Sequence, residues 1–579
     1  MSWILGAIGN FTRDDVNIFH SIHSKSLKRH QIDKIYIAMG GIPETCHHNF
    51  FSPSASMPHD GWIACGVGID YKADQFQIMK SADWHRVLSN KKSNLNHLNG
   101  HFVVILWNQS EVRCFTDQLG FRNLYMTKLK GYAAFSTRLD WLAKLRGDCE
   151  IDLKAFGSRW LLVNQLNQEC ILTNIQRITQ GGQARLTSDS IETENRPWEC
   201  HYSRKFPDFS YRDLLERLST FPIGSQKELS LAFSGGVDSR VLLSIIKTHQ
   251  SHGWSLHTFG TNSDPDVQIA GLISRKLDKE HLVFDIKFPA VEESISRLRD
   301  YIGQTYVRLP ASQFLKFQFY SDLYEQNRIA IDGGQGELHR REFFNRLLFY
   351  GKKALLKNEF EKIYPLICRH RASIFRDDIL ENIKENALAD VRNLSESLPA
   401  IQKIGLAHWL DLFIIRYGFP NTSNLEQIRS DAELVNYTPF AQPSLIDKMF
   451  ELPISVRNNG RILRRTLKEN LPELQKYPRA KNGVILPFYF SAIPTRLWIK
   501  VNQKIGRFYQ DSTNIKFLNG ISEFVLDTLH SSAVKTCPFY DYNKIHGTVN
   551  EFYDGNEQLA DEVDWWLAFE IWRQLVYGK

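Results

Sequence analysis

Apolar and polar positions follow two different patterns along the chain. Up to about residue 195, the apolar residues form short runs bounded by Gly, Asn, Pro or Asp, at 35–38, 62–67, 102–107 and 112–115. Such runs are typical of β-strands. From about residue 227, strand-like runs alternate with longer segments of helical periodicity, which predicts a parallel sheet flanked by helices. The pattern therefore indicates an α/β fold, with a strand-rich first part and a second part that holds a parallel sheet and extra helices.

A polar segment that contains three prolines separates the two parts. This composition is typical of a linker, and a chain of 579 residues is too long for one ordinary core. We predict a first domain at 1–195, a linker at 196–226 and a second domain at 227–579. The last apolar segment, 561–572, is predicted to form a buried closing helix.

One segment of the second part carries the strongest chemical signal. The apolar run 229–233 stops at Ser-Gly-Gly (234–236), and a helical pattern begins at once. Backbone N–H groups at such a helix start bind anions, and glycines let the backbone approach a phosphate closely. The hydroxyl of Ser239 adds a donor, and Asp238 offers a carboxylate for Mg²⁺. No lysine follows the glycines, so this is not the G-x-x-x-x-G-K-[ST] loop. The alternative is a plain turn.

The loop Ser-Gly-Gly-Val-Asp-Ser resembles the SGGxDS loop of PP-loop ATP pyrophosphatases, and nearly the whole chain resembles the glutamine-hydrolysing asparagine synthetase superfamily. Four more segments carry the resemblance, in the family's order: 98–104, 117–125, 333–338 and 432–440, followed by a lysine segment at 479–487. The resemblance implies an Ntn-hydrolase-like, β-rich sandwich followed by a PP-loop domain. It also implies that ATP and Mg²⁺ are the cofactors.

The resemblance assigns roles to individual residues. Asp238 and Glu337 would hold Mg²⁺, and Lys481 would stabilise the charge that develops during the reaction. Phe233 and Phe259 would flank adenine, although both fit equally well as core residues. The residues expected around the nucleotide are Phe233, Ser234, Gly235, Gly236, Asp238, Ser239, Phe259, Asp332 and Gly333.

The first part lacks the residues that hydrolyse glutamine in this family. Ser2 stands where the family has its nucleophilic cysteine, and Trp3 replaces the following glycine. The segment 35–43 has no arginine, and 61–70 has no counterpart of the N-G-E-x-Y-N motif. A processed N-terminal serine can act as a nucleophile, but these missing groups supply substrate binding and oxyanion stabilisation. We therefore predict no glutaminase activity and expect a retained scaffold or a surface for another substrate.

The second glycine loop also departs from the family. Gly334 takes the place of a glutamate that is a plausible base in aspartate-using members, and Glu337 replaces the family's aspartate. Arg340 and Arg341 replace the usual Phe-Gly. His339 or Glu342 could supply a base, or both could be solvated helix residues. Formation of asparagine by the standard route is therefore disfavoured.

The implied chemistry is activation of a carboxylate by ATP, which releases pyrophosphate, followed by attack of an amine, which releases AMP. The resemblance to lasso-peptide cyclases and β-lactam synthetases favours macrolactam formation on a peptide. One alternative is amidation of aspartate or another small acid with ammonia, and another is an ATP-binding scaffold without catalysis. The expected partners are a peptide or small carboxylate and an amine, with a leader-peptide-binding protein and a protease for a peptide substrate.

Composition narrows the setting of the protein. The net charge of +7 is mild, and no run of Lys and Arg is interleaved with aromatic residues, so nucleic acid is not the expected partner. The sequence contains no apolar run of about 18 residues, so no membrane span is predicted. The N-terminus lacks a basic region, so no signal peptide is expected. Eight cysteines without a C-x-x-C pair fit reduced thiols and a cytoplasmic location. The Cys-His-His at 46–48 is interpreted as a surface loop, because no second pair of metal ligands is evident.

Overall fold

The computed structural model of the chain describes residues 2–23, 28–50, 60–89, 95–200, 207–220, 227–250, 253–341, 346–423, 431 and 433–577. Within these ranges no helix is both long enough and apolar enough to cross a membrane. All eight cysteines are free thiols.

Two antiparallel sheets form the first part of the chain. Their strands are β1 (Trp3–Gly9), β2 (Lys28–Ile32), β3 (Ile35–Gly40), β4 (Cys46–Asn49), β5 (Gly61–Lys72), β6 (Gln75–Ile78), β7 (Asn99–Trp107), β8 (Val112–Thr116), β9 (Leu124–Leu129), β10 (Tyr132–Ser136), β11 (Gln176–Ile178), β12 (Gln183–Leu186) and β13 (Ile191–Glu194). The first sheet has the order β11-β9-β10-β1-β3-β2. The second has the order β13-β12-β8-β7-β5-β4, with β6 beside β5.

The two sheets pack face to face, and helices cover their outer faces. Because successive side chains of a strand point to opposite faces, Ile4 meets Ile63 of the second sheet, whereas Leu5 packs with Leu142 of a covering helix. Trp84 covers the outer face of the second sheet. The order helix, sheet, sheet, helix agrees with the expected β-rich sandwich. The helices of this part are Arg13–Ile22, Ser81–Leu88, Leu139–Arg146 and Leu153–Leu161.

A parallel sheet forms the centre of the second part, as the alternation of strands and helices predicts. Its strands are β14 (Glu228–Ala232), β15 (Trp254–Phe259), β16 (His281–Phe284), β17 (Arg328–Ile331) and β18 (Asn436–Tyr437), in the order β16-β15-β14-β17-β18. Every neighbouring pair is parallel. The chain moves outward from β14 to β16 on one side and then continues with β17 on the other side. The sheet therefore has a topological switch point between β14 and β17, where ligands of open α/β sheets bind.

Helices surround this sheet and connect it to the first part. In the described ranges the α-helices are Tyr211–Ser219, Val237–His249, Pro265–Leu277, Val291–Thr305, Tyr320–Glu325, Gly336–Arg340, Lys352–Leu356, Tyr364–Ile367, Asp377–Arg392, Leu394–Ser397, Ile401–Ile404, Leu406–Phe413, Pro443–Glu451, Ile454–Arg457, Arg461–Asn470, Ala492–Lys504, Thr513–Gly520, Ser522–His530, Ser532–Lys535, Tyr542–Tyr553 and Ala560–Tyr577. The closing helix is buried as predicted, and its Phe569 and Trp572 share one apolar cluster with Leu5 and Leu142. The two parts therefore share a core.

Two local expectations are corrected or refined by the structure. The Cys-His-His segment, predicted as a surface loop, forms the edge strand β4, in which Cys46 and His47 are buried. Among the described residues, no group of three or more His, Cys, Asp or Glu side chains is placed to hold a metal ion. The predicted linker contains the helix Tyr211–Ser219, whose Leu214 and Leu215 are buried in the core of the second part. The domain boundaries themselves stay a prediction.

Candidate functional site

Two glycine loops meet at the carboxyl edge of the parallel sheet. The first follows β14 and the second follows β17, so they lie on the two sides of the switch point. A Cβ atom on Gly333 would lie 3.1 Å from the backbone nitrogen of Ser239, and a Cβ atom on Gly336 would lie 2.3 Å from the carboxyl carbon of Asp238. Only glycine permits such close approach. The two predicted loops therefore form one site.

The first loop leads directly into the helix Val237–His249. Gly236 precedes this helix, and no side chain caps its N-terminus. The Gly236 N–H donates to Ser234 Oγ at 3.4 Å, and Ser239 Oγ donates to the Gly236 carbonyl at 3.4 Å. Ser234 is exposed, whereas Ser239 is only 5% exposed. Backbone N–H groups at a helix start attract anions, and both hydroxyls lie beside them.

A guanidinium group bridges the two carboxylates that the sequence assigns to Mg²⁺. Arg340 Nη2 lies 3.1 Å from Asp238 Oδ2 and 3.2 Å from Glu337 Oε1. The Asp238 side chain is 13% exposed and that of Glu337 is 39% exposed. Two carboxylates that converge on one positive charge fit a cation, and carboxylate oxygens are the ligands that Mg²⁺ prefers. The sequence marked Arg340 only as a departure from the family, without this role.

Arg240 ties the first loop to the segment that carries Lys481. From the first turn of its helix, its guanidinium donates to the carbonyls of Leu474 at 2.7 Å and Tyr477 at 2.8 Å, and also to that of Pro478. Burial, together with the nearby charges of Arg479 and Arg464, lowers the pKa of Arg240 to about 9. No sequence motif predicts this contact, because its acceptors are backbone carbonyls more than 230 positions away.

Lys481 lies in a two-stranded hairpin of β19 (Arg479–Lys481) and β20 (Val484–Leu486). Asn482 and Gly483 form the turn, and both have positive φ, at 50° and 71°. Asn-Gly is the preferred pair for a two-residue hairpin turn, because both positions need a left-handed backbone. Lys481 is partly buried and pairs with Val484 across the hairpin.

Two arginines place positive charge between this hairpin and the first loop. The guanidinium groups of Arg240 and Arg464 lie 4.5 Å and 4.8 Å from the centre of the Phe488 ring. Arg464 also donates to the Phe488 carbonyl at 3.0 Å. The positive charge on this side of the site attracts anions.

The two predicted adenine contacts have different environments. Phe233 is 1% exposed and belongs to the core of the second part. Phe259 is half-buried at the end of β15 and stacks on Phe284 and Phe319, with centroid distances of 5.8 Å and 5.7 Å. Tyr320 meets it edge-on at 5.8 Å. The structure therefore leaves Phe259, and not Phe233, at the sheet edge where a planar base could stack.

The residues that follow the second loop are held by buried contacts. His339 is 0% exposed: its Nε2 donates to the Phe440 carbonyl at 2.7 Å, and its Nδ1 accepts from the Tyr211 hydroxyl at 2.9 Å. Burial lowers the pKa of His339 to about 3. Arg341 pairs with buried Asp411 at 2.6 Å. With both ring nitrogens engaged, His339 is not placed to act as a base, and Glu342 lies outside the described residues.

The region around Ser2 is sealed by an ion pair that joins the two parts of the chain. Ser2 is 0% exposed, and Arg122 donates to its hydroxyl at 2.7 Å and to its carbonyl at 2.9 Å. The same guanidinium pairs with Asp431 of the second part, and both side chains are 0% exposed. Asp431 also pairs with His101 at 2.9 Å. The Ser2 hydroxyl is therefore buried within a network of charged side chains.

Two thiols lie beside this ion pair. Cys46 and Cys65 are opposite each other on β4 and β5. Burial raises the pKa of Cys65, but its hydrogen bond with Cys46 and the charge of Arg122 outweigh burial and lower that pKa to about 7. The hydrogen bond with Cys65 is the main reason that the pKa of Cys46 is raised. The positive charge of Arg122 therefore stabilises both the Asp431 carboxylate and the thiolate form of Cys65.

A cavity of about 640 Å³ lies between the sandwich and the helices of the second part. Aromatic side chains line both of its walls, and two carboxylates face it, Asp300 and Glu433. Asp300 is 60% exposed although it pairs with Arg138 at 2.8 Å. Burial raises the pKa of Glu433. No sequence motif marked this cavity, whose lining comes from distant segments. The aromatic residues that line it are Trp3, Trp141, Tyr301, Phe314 and Phe317.

Comparison with known proteins gives only distant likenesses. No model of a protein family matches the chain, and no curated protein matches it. Among solved structures, the chain is similar to the allosteric regulatory enzyme of purine biosynthesis, with 8% identity and a TM-score of 0.23 over 50% of this chain and 82% of that one. It is also similar to glutamine phosphoribosylpyrophosphate amidotransferase from B. subtilis complexed with ADP and GMP. That likeness has 8% identity and a TM-score of 0.23, over 57% of this chain and 81% of that one. Likenesses this distant define neither the fold nor the chemistry of the chain.

Proposed function

We propose that the chain is an ATP-dependent carbon–nitrogen ligase of the asparagine synthetase type that has no glutaminase activity. It adenylates a carboxylate, releases pyrophosphate and joins the activated acyl group to an amine with release of AMP. The observation that carries this proposal is the meeting of two glycine loops at the switch point of a parallel sheet, with Asp238 and Glu337 converging on one positive charge. We also propose a cytoplasmic location, where ATP is available to the protein.

The triphosphate of ATP is the ligand that this edge fits best. The uncapped start of the helix Val237–His249 and the hydroxyls of Ser234 and Ser239 supply donors for phosphate oxygens. Half-buried Phe259 supplies a stacking surface for the base. Mg²⁺, held by Asp238 and Glu337, would neutralise charge on the phosphates. We propose that Arg340 then turns from the two carboxylates to the phosphate oxygens, which are equivalent charged acceptors.

The reaction has two steps. A substrate carboxylate oxygen attacks the α-phosphorus, the bond from that phosphorus to the bridging oxygen breaks, and pyrophosphate leaves. The amine nitrogen then attacks the acyl carbon, the bond from that carbon to the phosphate oxygen breaks, AMP leaves, and the amine proton passes to solvent. Lys481 stabilises the negative charge on the tetrahedral intermediate and the departing phosphate. Arg240 holds the hairpin of Lys481 against the first loop through its three backbone acceptors.

The amine substrate is larger than ammonia in this proposal. The 640 Å³ cavity is walled by aromatic rings and carries Asp300 and Glu433, a combination that suits an organic ammonium group with an apolar body. Two arginines also line the cavity, but both are paired with carboxylates: Arg138 with Asp140 at 2.7 Å and with Asp300, and Arg297 with Glu293 at 2.6 Å. Phe317 of the cavity wall stacks on Tyr320, and Tyr320 contacts Phe259 at the sheet edge. The Tyr320 ring therefore lies between the cavity and the sheet edge. These features favour a peptide amine and hence macrolactam formation.

Arg340 supports a second candidate function, in which the chain binds a nucleotide without turning it over. A guanidinium already neutralises Asp238 and Glu337, so a protein that no longer uses Mg²⁺ could keep this arrangement as a scaffold. The two candidates differ in one observable, the formation of AMP and pyrophosphate.

The first experiment measures nucleotide binding with α,β-methylene-ATP, which cannot be cleaved at the reacting bond. Titration calorimetry with Mg²⁺ should show binding to the wild type and loss of binding in Asp238→Ala. The control Asp278→Asn changes an exposed acidic residue at the C-terminal end of the helix Pro265–Leu277. This variant should bind the analogue like the wild type. Absence of binding to the wild type, or unchanged binding in Asp238→Ala, would overturn the assignment of the loop.

The second experiment identifies products from Mg-ATP, aspartate and ammonium, with glutamine in a parallel reaction. AMP, pyrophosphate and asparagine from ammonium alone would favour the small-acid alternative over peptide cyclisation. The same products from glutamine would contradict the absence of glutaminase activity. If the analogue binds and neither mixture reacts, short peptides encoded beside the gene are the next substrates. AMP and pyrophosphate formed with such a peptide would support the ligase, whereas ADP and phosphate would exclude it.

A further inference from the structure

Exposed apolar side chains are concentrated in two segments of the second part. Of the eighteen large apolar residues that are exposed among the described residues, eleven lie in the segments 346–358 and 485–508. Exposed apolar residues scattered singly are normal, but a contiguous patch marks an interaction site. The eleven residues are Phe349, Tyr350, Leu356, Ile485, Tyr489, Ile493, Leu497, Trp498, Val501, Ile505 and Phe508.

The helix Ala492–Lys504 forms the centre of this patch. Thr495 and Ile499 point toward the protein, at 4% and 7% exposure. On the opposite side, Ile493, Leu497 and Val501 are 61%, 62% and 57% exposed. These three residues are spaced four apart, so they lie on one face of the helix. The helix therefore presents an apolar ridge to the outside instead of burying it.

A contact between a guanidinium and an aromatic ring joins the two segments, and further contacts hold the second segment together. The guanidinium of Arg496 lies 5.2 Å from the centre of the Phe349 ring. Trp498 Nε1 donates to the Ile485 carbonyl at 3.0 Å, and the Trp498 ring meets Phe490 edge-on at 5.8 Å. We call this surface the basic apolar face; it comprises the eleven apolar residues above and the exposed cations of the same two segments.

The charge of the basic apolar face has one sign. The segments 346–358 and 485–508 contain eight Lys and Arg residues and no Asp or Glu. This charge is not evident as a run of cations in the sequence, because the cations are spaced along helices and come from two distant segments. The cations of the face that are exposed are Arg346, Lys352, Lys353, Lys357, Arg496, Lys500, Lys504 and Arg507.

We propose that the basic apolar face binds peripherally to an anionic lipid bilayer. A surface helix with aliphatic residues and Trp on its outer face and Lys and Arg beside them is typical of helices that lie in the membrane interface. Anionic lipid headgroups attract each nearby cation, and the apolar ridge enters the boundary between headgroups and acyl chains. This proposal does not rest on the proposed ligase activity.

The shape and composition of the face argue against two other occupants. A peptide or partner helix binds in a groove, whereas the helix Ala492–Lys504 projects its apolar residues from a ridge. Single-stranded nucleic acid stacks on aromatic rings. Five of the eleven apolar residues are aromatic, but the ridge at the centre of the face, formed by Ile493, Leu497, Val501 and Ile505, is aliphatic. A bilayer accepts both a ridge and aliphatic side chains.

The test is co-sedimentation of the full chain with vesicles of phosphatidylcholine alone or mixed with phosphatidylglycerol. We expect binding only to the mixed vesicles and weakening by salt. The charge variant Lys500→Ser with Lys504→Ser should bind roughly 25-fold more weakly, since each cation near the surface contributes about fivefold. The apolar variant Leu497→Ser with Val501→Ser should lose binding by at least about tenfold. The control Leu272→Ser changes a similarly exposed leucine of another helix, and it should bind like the wild type.

Several outcomes would overturn the proposal. They are absence of wild-type binding to the anionic vesicles, equal binding to both vesicle types, or unchanged binding in the charge and apolar variants. A fluorescent single-stranded oligonucleotide is the comparison probe. If the variants lose binding to the oligonucleotide while vesicle binding persists, the face is a nucleic-acid interface instead. All substituted residues are exposed, so unchanged thermal unfolding of each variant would confirm that the fold is intact.

Discussion

Arg340 Nη2 lies 3.1 Å from Asp238 Oδ2, and the same nitrogen lies 3.2 Å from Glu337 Oε1. The three residues come from two loops that follow different strands of the parallel sheet. The guanidinium therefore neutralises the two carboxylates that the proposed reaction needs for Mg²⁺. This relationship makes Arg340 the residue whose replacement most directly separates a ligase from a scaffold.

Replacement of Arg340 by methionine should weaken binding of Mg²⁺ with α,β-methylene-ATP by about tenfold or more. The physical reason is loss of charge-assisted hydrogen bonds to phosphate oxygens, each of which contributes about 1.5–3 kcal/mol. Calorimetric titration measures the change, with the exposed Arg461→Met as the control. Unchanged or tighter binding in Arg340→Met would show that Arg340 serves the carboxylates alone, as in the scaffold alternative.

Replacement of Gly336 by alanine should abolish nucleotide binding while the protein stays folded. The added Cβ would lie 2.3 Å from the Asp238 carboxyl carbon, so either Asp238 or the second loop must move. The measurement is the same titration together with circular dichroism. Gly547→Ala is the matched control, because nothing lies within 4 Å of its added Cβ and alanine is the better helix former. Normal binding by Gly336→Ala would mean that the contact between the loops is not needed for the site.

Replacement of Lys481 by alanine should remove amide product while nucleotide binding persists. Loss of one fixed donor to a developing negative charge costs about 10²–10³ in rate. Product analysis by mass spectrometry on the reacting substrate measures the loss, and titration with the methylene analogue checks binding. Lys476→Ala, an exposed lysine just before the hairpin, is the control. A variant that retains the wild-type rate would remove Lys481 from the mechanism.

Replacement of Asp431 by asparagine should lower the free energy of unfolding by about 3–5 kcal/mol. It leaves the guanidinium of Arg122 buried without its carboxylate, and removing one partner of a buried pair has this cost. Urea unfolding measures the change. Asp377→Asn breaks an exposed pair with Lys544 and should alter stability by less than about 0.5 kcal/mol. A loss below about 1 kcal/mol in Asp431→Asn would show that the ion pair does not hold the two parts together.

Asp564 should make the protein less stable as the pH rises from about 4 to 7. Burial raises the pKa of Asp564 to about 7, while both carboxylate oxygens accept hydrogen bonds from Ser312. Between its unfolded value of about 3.9 and 7, the folded state binds more protons, so stability falls through this window and the full penalty is present above it. Asp564→Asn should therefore gain stability relative to the wild type, on the order of 2–4 kcal/mol, between pH 5 and pH 8. An equal difference at the two pH values would contradict the assignment.

The elements around the site follow from local sequence. The apolar run before Ser234 and the helical pattern after Gly236 gave β14 and the helix Val237–His249, because a strand or a helix depends on the periodicity of adjacent residues. The alternation of strands and helices likewise predicted a parallel sheet. The Cys-His-His segment was interpreted wrongly, because polar residues near a sheet edge resemble a loop in sequence while the partner strand β5 makes them β4.

Side-chain partners of the site did not follow from local sequence. Phe233 follows the last residue of β14 and Phe259 is the last residue of β15, and packing buries the first and leaves the second half-buried. His339 has a residue type that fits a base, and only its two buried hydrogen bonds remove it from that role. The burial of a side chain and its hydrogen-bond partners depend on which faces of the sheet the helices cover. The spacing of residues along the sequence does not determine that.

The sequence by itself determined the two patterns of secondary structure, the glycine loop at 234–236 and the missing glutaminase motifs, because each depends on residues within a few positions of one another. The tertiary structure alone decided that Arg340 joins Asp238 to Glu337, that Arg122 pairs with Asp431 across 309 positions, and that two distant segments form the basic apolar face. The physical reason is that charges and apolar surfaces find their partners through packing in space. That packing is set by all the layers of the fold together.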